Sequence, residues 1–89
     1  MCRVIDPEKT GMNISRLCKE KGISVREIAK RLNLSDSRVI FYWFSGRNMP
    51  TIDNLYMLAS ILQVQMDDII IARDEPSKNT KIASTVVEE

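Results

Sequence analysis

The sequence predicts an all-α fold, a compact domain of five short helices. Apolar residues recur at helical spacing in five consecutive segments between residues 7 and 73. Residues that start or stop helices punctuate those segments. A length of 89 residues bounds the chain to one domain with a limited core.

Helix 1 is expected near 7–21. Asp6-Pro7-Glu8 is a start signal: a capping Asp, Pro at the first position and an acid in the first turn. Gly11 weakens the middle of this helix by roughly 1 kcal/mol relative to Ala, so its first turn is expected to fray or kink. Ile14, Leu17 and Cys18 point inward; Arg16, Lys19 and Glu20 point outward. Gly22 is the stop.

Helix 2 is expected near 25–32. Ser24 to Glu27 fits a capping box, in which Ser24 and Glu27 each bond the other's amide. Ile23 and Ile28 have staple spacing, and Ile28, Ala29 and Leu32 share one face. Asn33 tolerates the left-handed exit, and Leu34 plugs the turn. Ser35 is then a second cap, with Leu34 and Val39 as a second staple, so helix 3 is expected near 36–45. Val39, Ile40 and Trp43 form its inner side.

Gly46 closes helix 3, and Pro50 comes too soon for it to continue. Thr51 caps helix 4, near 52–63, whose buried stripe is Ile52, Leu55, Leu58, Ala59 and Leu62. Helix 5 is expected near 66–73, with Asp67 and Asp68 at its positive end and Met66, Ile69 and Ile70 inward. Ile71 is left without an inner place. After Arg73 the composition changes and Pro76 bars continuation, so residues 74–89 read as a flexible acidic tail in which 82–87 has strand character.

Net charge is only +1, but its distribution is uneven. Residues 9–48 carry nine Lys/Arg and three acids, net +6, whereas residues 49–89 carry three basic residues and seven acids, net −4. No His and two distant cysteines, Cys2 and Cys18, make no zinc site. Cys18 reads as a small core residue. No apolar run approaches the about 18 residues of a membrane span, and no signal-peptide segment is evident at the start. There is no recognisable carboxylate pair, phosphate-cradling glycine loop or nucleophile with its base, so an enzyme is not expected.

Ser24 to Trp43, two helices about a tight turn, resembles the helix-turn-helix of the Cro and lambda-repressor type, the XRE family. The resemblance extends to Gly46-Arg47-Asn48-Met49-Pro50, which is similar to the family's glycine–basic–x–x–proline exit from the reading helix. Thr51 to Leu62 and Gln65 to Ile70 resemble its fourth and fifth helices. It covers roughly residues 7–72. It implies a lambda-repressor-like domain over residues 1–73, with the motif at 24–43. Two departures stand out: many members carry glutamine where Val25 stands, and the stretch from Leu34 to Gly46 is one residue longer than in the best-known repressors. The second leaves the register of base contacts open within about one position.

The resemblance implies that helix 3 enters the major groove of double-stranded DNA with its N-terminus nearest the bases. On a wheel of about 100° per residue, Arg38, Phe41 and Ser45 fall opposite the inner side, flanked by Ser37 and Tyr42. The candidate base-reading residues are Ser35, Ser37, Arg38, Phe41 and Tyr42. Arg38 suits guanine O6 and N7, and Phe41 a thymine methyl; the Tyr42 hydroxyl also suits a phosphate. An exposed Phe41 and Tyr42 also fit a protein interface. Asp36 suits the helix dipole as a cap-region residue, or a cytosine amino group. The candidate phosphate-binding residues are Ser24, Arg26, Arg47 and Asn48.

The expected function is a sequence-specific transcriptional regulator, a small cytoplasmic repressor. The expected partners are double-stranded DNA and a second copy of the chain, joined through helix 5 and the C-terminal segment; no cofactor or small-molecule ligand is implied. The competing class is a protein-interaction module, an antitoxin or anti-regulator on the same fold.

Overall fold

The computed structural model describes residues 4–74. Helix α1 runs from Pro7 to Lys21, α2 from Val25 to Arg31, α3 from Arg38 to Ser45, α4 from Ile52 to Leu62 and α5 from Met66 to Ile69. Their inner faces meet in one core built on Ile14, Leu17, Ile28, Ile40, Trp43, Leu58, Leu62 and Ile69. Cys18 is buried among them, where loss of hydration pushes its thiol up to about 11.

The helix ends follow one device. Gly22, Asn33, Gly46 and Gln63 all take the left-handed conformation. At each, its own amide and the next one turn back to helix carbonyls, as when Gly46 N–H donates to Trp43 O at 3.1 Å and Arg47 N–H to Tyr42 O at 2.9 Å. At the other ends, Asp6 accepts from the Lys9 amide, Ser24 from the Glu27 amide and Thr51 from the Asn54 amide. The capping box at Ser24 is only half formed. The Glu27 carboxylate turns instead to Arg31, one turn on, at 2.8 Å.

Helix α1 is unbroken at Gly11, where a frayed or kinked turn was expected. Gly11 is buried against α3: a Cβ there would lie 2.6 Å from the Phe44 carbonyl oxygen and closer still to that of Trp43. The glycine allows the two helices to cross with backbone against backbone. Gly46 meets Glu8 in the same way, with a notional Cβ 2.8 Å from the Glu8 Cα. Helix α3 is therefore set directly on the first helix.

Three other expectations fail. Ile52, assigned to the buried stripe of α4, is 76% exposed, because the stripe begins at Leu55. Helix α5 stops after four residues rather than reaching 73, and Ile70 is already extended. Ile71, expected to lack an inner place, is fully buried. Beyond α5 the chain lies antiparallel to residues 4–6: Asp6 N–H donates to Ile71 O at 2.8 Å, Arg73 N–H to Val4 O at 2.6 Å, and Ile5 pairs with Ala72.

Two buried polar residues of α1 fasten that segment. The Thr10 hydroxyl accepts from Ile71 N–H at 3.0 Å and faces Ile71 O at 3.3 Å. The Asn13 amide donates to Asp68 O at 2.7 Å and Ile69 O at 3.0 Å, while its Oδ1 accepts from Arg16. The orphan carbonyls at the end of α5 are thus satisfied from α1. The tail and the 82–87 strand expectation lie outside the described residues.

Candidate nucleic-acid interface

The surface begins at the turn between α2 and α3. Leu34 packs against the core and fixes the turn. Ser35, Asp36 and Ser37 follow, three residues of capping type in succession. Helix α3 starts at Arg38, two residues later than expected, and Ser35 is not its cap. Ser37 holds the cap position without a side-chain bond; the Asp36 carboxylate accepts from the Arg38 amide at 2.9 Å instead. Asp36 is therefore a cap-region residue, one of the two roles considered for it.

The same carboxylate holds the Arg38 side chain. Arg38 Nε lies 3.0 Å from Asp36 Oδ2, and Nη2 lies 2.9 Å from it. The hydrogen bonds to Arg38 keep the Asp36 carboxyl below its usual range, and the carboxylate raises the Arg38 guanidinium above its own. Both groups stand in solvent, Arg38 with 77% of its side chain exposed.

Further along α3, Ile40 and Trp43 are buried while Phe41 is 53% exposed. The Phe41 ring meets half-buried Phe44 edge to face at 5.8 Å, so it is braced from one side and open on the other. Tyr42 is half-buried, and the Arg47 guanidinium lies 4.6 Å from its ring centroid. The Tyr42 carbonyl accepts from the Arg47 and Asn48 amides at 2.9 and 3.3 Å. Tyr42, Arg47 and Asn48 are thereby one unit at the exit of α3.

The candidate residues fall into three groups. Ser37, Arg38, Phe41 and Tyr42 are brought together on α3, with Arg47 and Asn48 attached through Tyr42. Ser35 is exposed but sits in the turn, outside the helix. Ser24 and Arg26 stand exposed at the start of α2, and the Ser24 hydroxyl is engaged in capping. Sequence reasoning missed two features. The Asp36–Arg38 pair had a signal, opposite charges two residues apart at a helix start. The Arg47–Tyr42 stack had none, because it depends on how the glycine turn folds the chain back.

Among the described residues no group of His, Cys, Asp or Glu is placed to hold a metal ion, and no helix is long and apolar enough to cross a membrane.

Comparison with known proteins agrees with this geometry. A helix-turn-helix family model matches residues 14–69. An uncharacterized HTH-type transcriptional regulator, y4dJ of Sinorhizobium fredii, is 32% identical over 71 residues, covering 80% of this chain and 91% of that protein. Among solved structures, the restriction-modification controller protein C.AhdI from Aeromonas hydrophila aligns with a TM-score of 0.65 at 23% identity, covering 72% of this chain and 96% of that one. A transcriptional regulator from Listeria innocua aligns with a TM-score of 0.62 at 27% identity, covering 90% and 78%. The chain belongs to the helix-turn-helix family, of the Cro and lambda-repressor type, and is a DNA-binding transcriptional regulator rather than an enzyme. The protein-interaction alternative is not favoured.

Proposed function

We propose that the protein is a cytoplasmic repressor that inserts α3 into the major groove and binds as a homodimer. The observation that carries the reading is the two-sidedness of α3. Ile40 and Trp43 are buried on one side, while Arg38 and Phe41 stand exposed on the other. A helix anchored by its inner side and by the Gly11 crossing presents its outer side without reorganisation.

In this reading Arg38 and Phe41 contact base edges, with Ser37 beside them at the helix start and Ser35 in the preceding turn. Arg47 and Asn48 hold one phosphate region past Gly46, with the Tyr42 ring steering the guanidinium. Ser24 and Arg26 hold another at the start of α2, where helix amides also favour phosphate. Tyr42 contributes through its hydroxyl.

The homodimer follows from size, because one small module buries only about 600–1,000 Å² on DNA, at the low end for specific binding. Ile71 cannot serve the interface, since it is buried within the protomer. The second copy is assigned instead to the face of α4 and α5, where exposed Tyr56 stands with Val64 and Met66 beside a shallow groove.

Selection of binding sites from random double-stranded DNA tests the whole reading. The expected product is a palindrome with half-sites about 10 base pairs apart or a multiple of that. A non-palindromic site bound by a monomer at every concentration contradicts the dimer. Recovery of no preferred sequence contradicts base reading by α3.

A further inference from the structure

Asp36 is an acid on a surface that has to approach phosphates, and its position calls for a reason. Its carboxylate is fixed to the start of α3 by the Arg38 amide and grips the Arg38 guanidinium through Nε and Nη2. A guanidinium carries five N–H donors in one rigid plane. Asp36 takes the Nε–Nη2 edge. The other edge, between Nη1 and Nη2, points away from the carboxylate and has the spacing that forks onto guanine O6 and N7.

The pair contributes little to the fold, because both partners are exposed and such ion pairs are weak in water. It matters for the shape of the reading surface. An exposed arginine samples many rotamers; pairing along its side edge biases it toward those that present the end edge in one place before DNA arrives. The pairing also compensates the guanidinium charge. At a site offering no guanine, Arg38 brings little attraction to phosphate and Asp36 brings repulsion.

We infer that Asp36 is a specificity-determining residue: it holds Arg38 by one edge, aims the other at a guanine, and disfavours DNA that lacks that guanine. The inference rests on the reading of α3 as the base-reading helix.

The test uses the full chain and duplexes carrying its selected site, every single-base variant of that site, and an unrelated sequence of equal length. Asp36→Asn removes the charge but keeps an oxygen for the Arg38 amide; Asp36→Ser, with a capping hydroxyl, is the second variant in case the first is unstable. Asp36→Asn is expected to bind the unrelated duplex more tightly and to lose about tenfold in preference at one G·C pair. That pair is the one whose preference Arg38→Ala abolishes, and the double variant should lose no more there than Arg38→Ala alone. Preference retained at that pair, with affinity raised uniformly for all duplexes, overturns the inference and leaves Asp36 a merely repelling charge. Preference lost at a different pair overturns it too, and makes Asp36 a base contact in its own right. If the unaltered chain shows no base preference, or Arg38→Ala changes none, the reading of α3 has failed, and this inference falls with it.

Discussion

Gly11→Ala separates the structure from helix propensity by sign. On propensity alone, alanine within α1 should stabilise by roughly 1 kcal/mol. In the structure the added Cβ falls 2.6 Å from the Phe44 carbonyl oxygen and 2.8 Å from its carbon, with the Trp43 oxygen nearer still. A carbon beside a carbonyl oxygen needs roughly 3.3 Å, so the shortfall is about 0.7 Å at Phe44 and larger at Trp43. The obstacle is helical backbone, not a side chain that can swing aside. The helices must move apart and loosen the packing around Ile14, Ile40 and Trp43. Overpacking of this kind costs about 1–3 kcal/mol, sometimes more, and outweighs the propensity gain. We expect Gly11→Ala to destabilise by up to about 2 kcal/mol net in urea unfolding, and to weaken DNA binding because α3 shifts. Gly22→Ala is the control: nothing lies within 4 Å of its notional Cβ, and only its φ of +69° is strained. A Gly11→Ala protein as stable as wild type, or more so, refutes the close crossing.

Asn13→Ala removes the donor that serves the Asp68 and Ile69 carbonyls and should cost about 1–3 kcal/mol by denaturant titration; an unchanged midpoint would mean that water replaces it at no cost. Cys18, with its thiol raised to about 11 by burial, should resist alkylation at pH 8 in the folded protein and react on unfolding. Peptide mapping reads this against Cys2, and equal modification of Cys18 under native conditions would show that the core is open. Ionisation gives the same residue a sign in stability: above the ordinary thiol range the unfolded chain loses the proton first, so stability should decline between pH 9 and about 11.

Most of the fold was legible because its boundaries rest on local chemistry. Asp6, Ser24 and Thr51 cap where their side chains can reach the third amide along, and Gly22, Asn33 and Gly46 turn left-handed because those residue types allow it. Gln63 does the same without such a signature. What was not legible depends on partners distant in sequence. Periodicity marks a stripe on α4 but not where its neighbours end, so Ile52 was placed inside. Ile71 looked surplus because nothing local says that residues 4–6 will pair beside it and Thr10 will bond it. Gly11 read as a weakness, although its value lies in a helix 32 residues further on, at Trp43. At the interface, the outer face of α3 followed from its wheel. Its start did not, since Ser35, Asp36 and Ser37 all suit a cap, and the outcome depended on Asp36 bonding both the amide and the guanidinium of Arg38.

The central claim is that one arginine reads and another holds, and a single binding panel tests it. Arg38→Ala and Arg47→Ala are titrated on the selected site and its single-base variants at two salt concentrations. Arg38→Ala should cost about 1–3 kcal/mol on the best site and erase the preference at one base pair. Arg47→Ala should weaken every duplex about equally and reduce the salt slope by about one unit. If Arg38→Ala leaves base preferences intact while Arg47→Ala changes them, the assignment of roles along α3 is wrong.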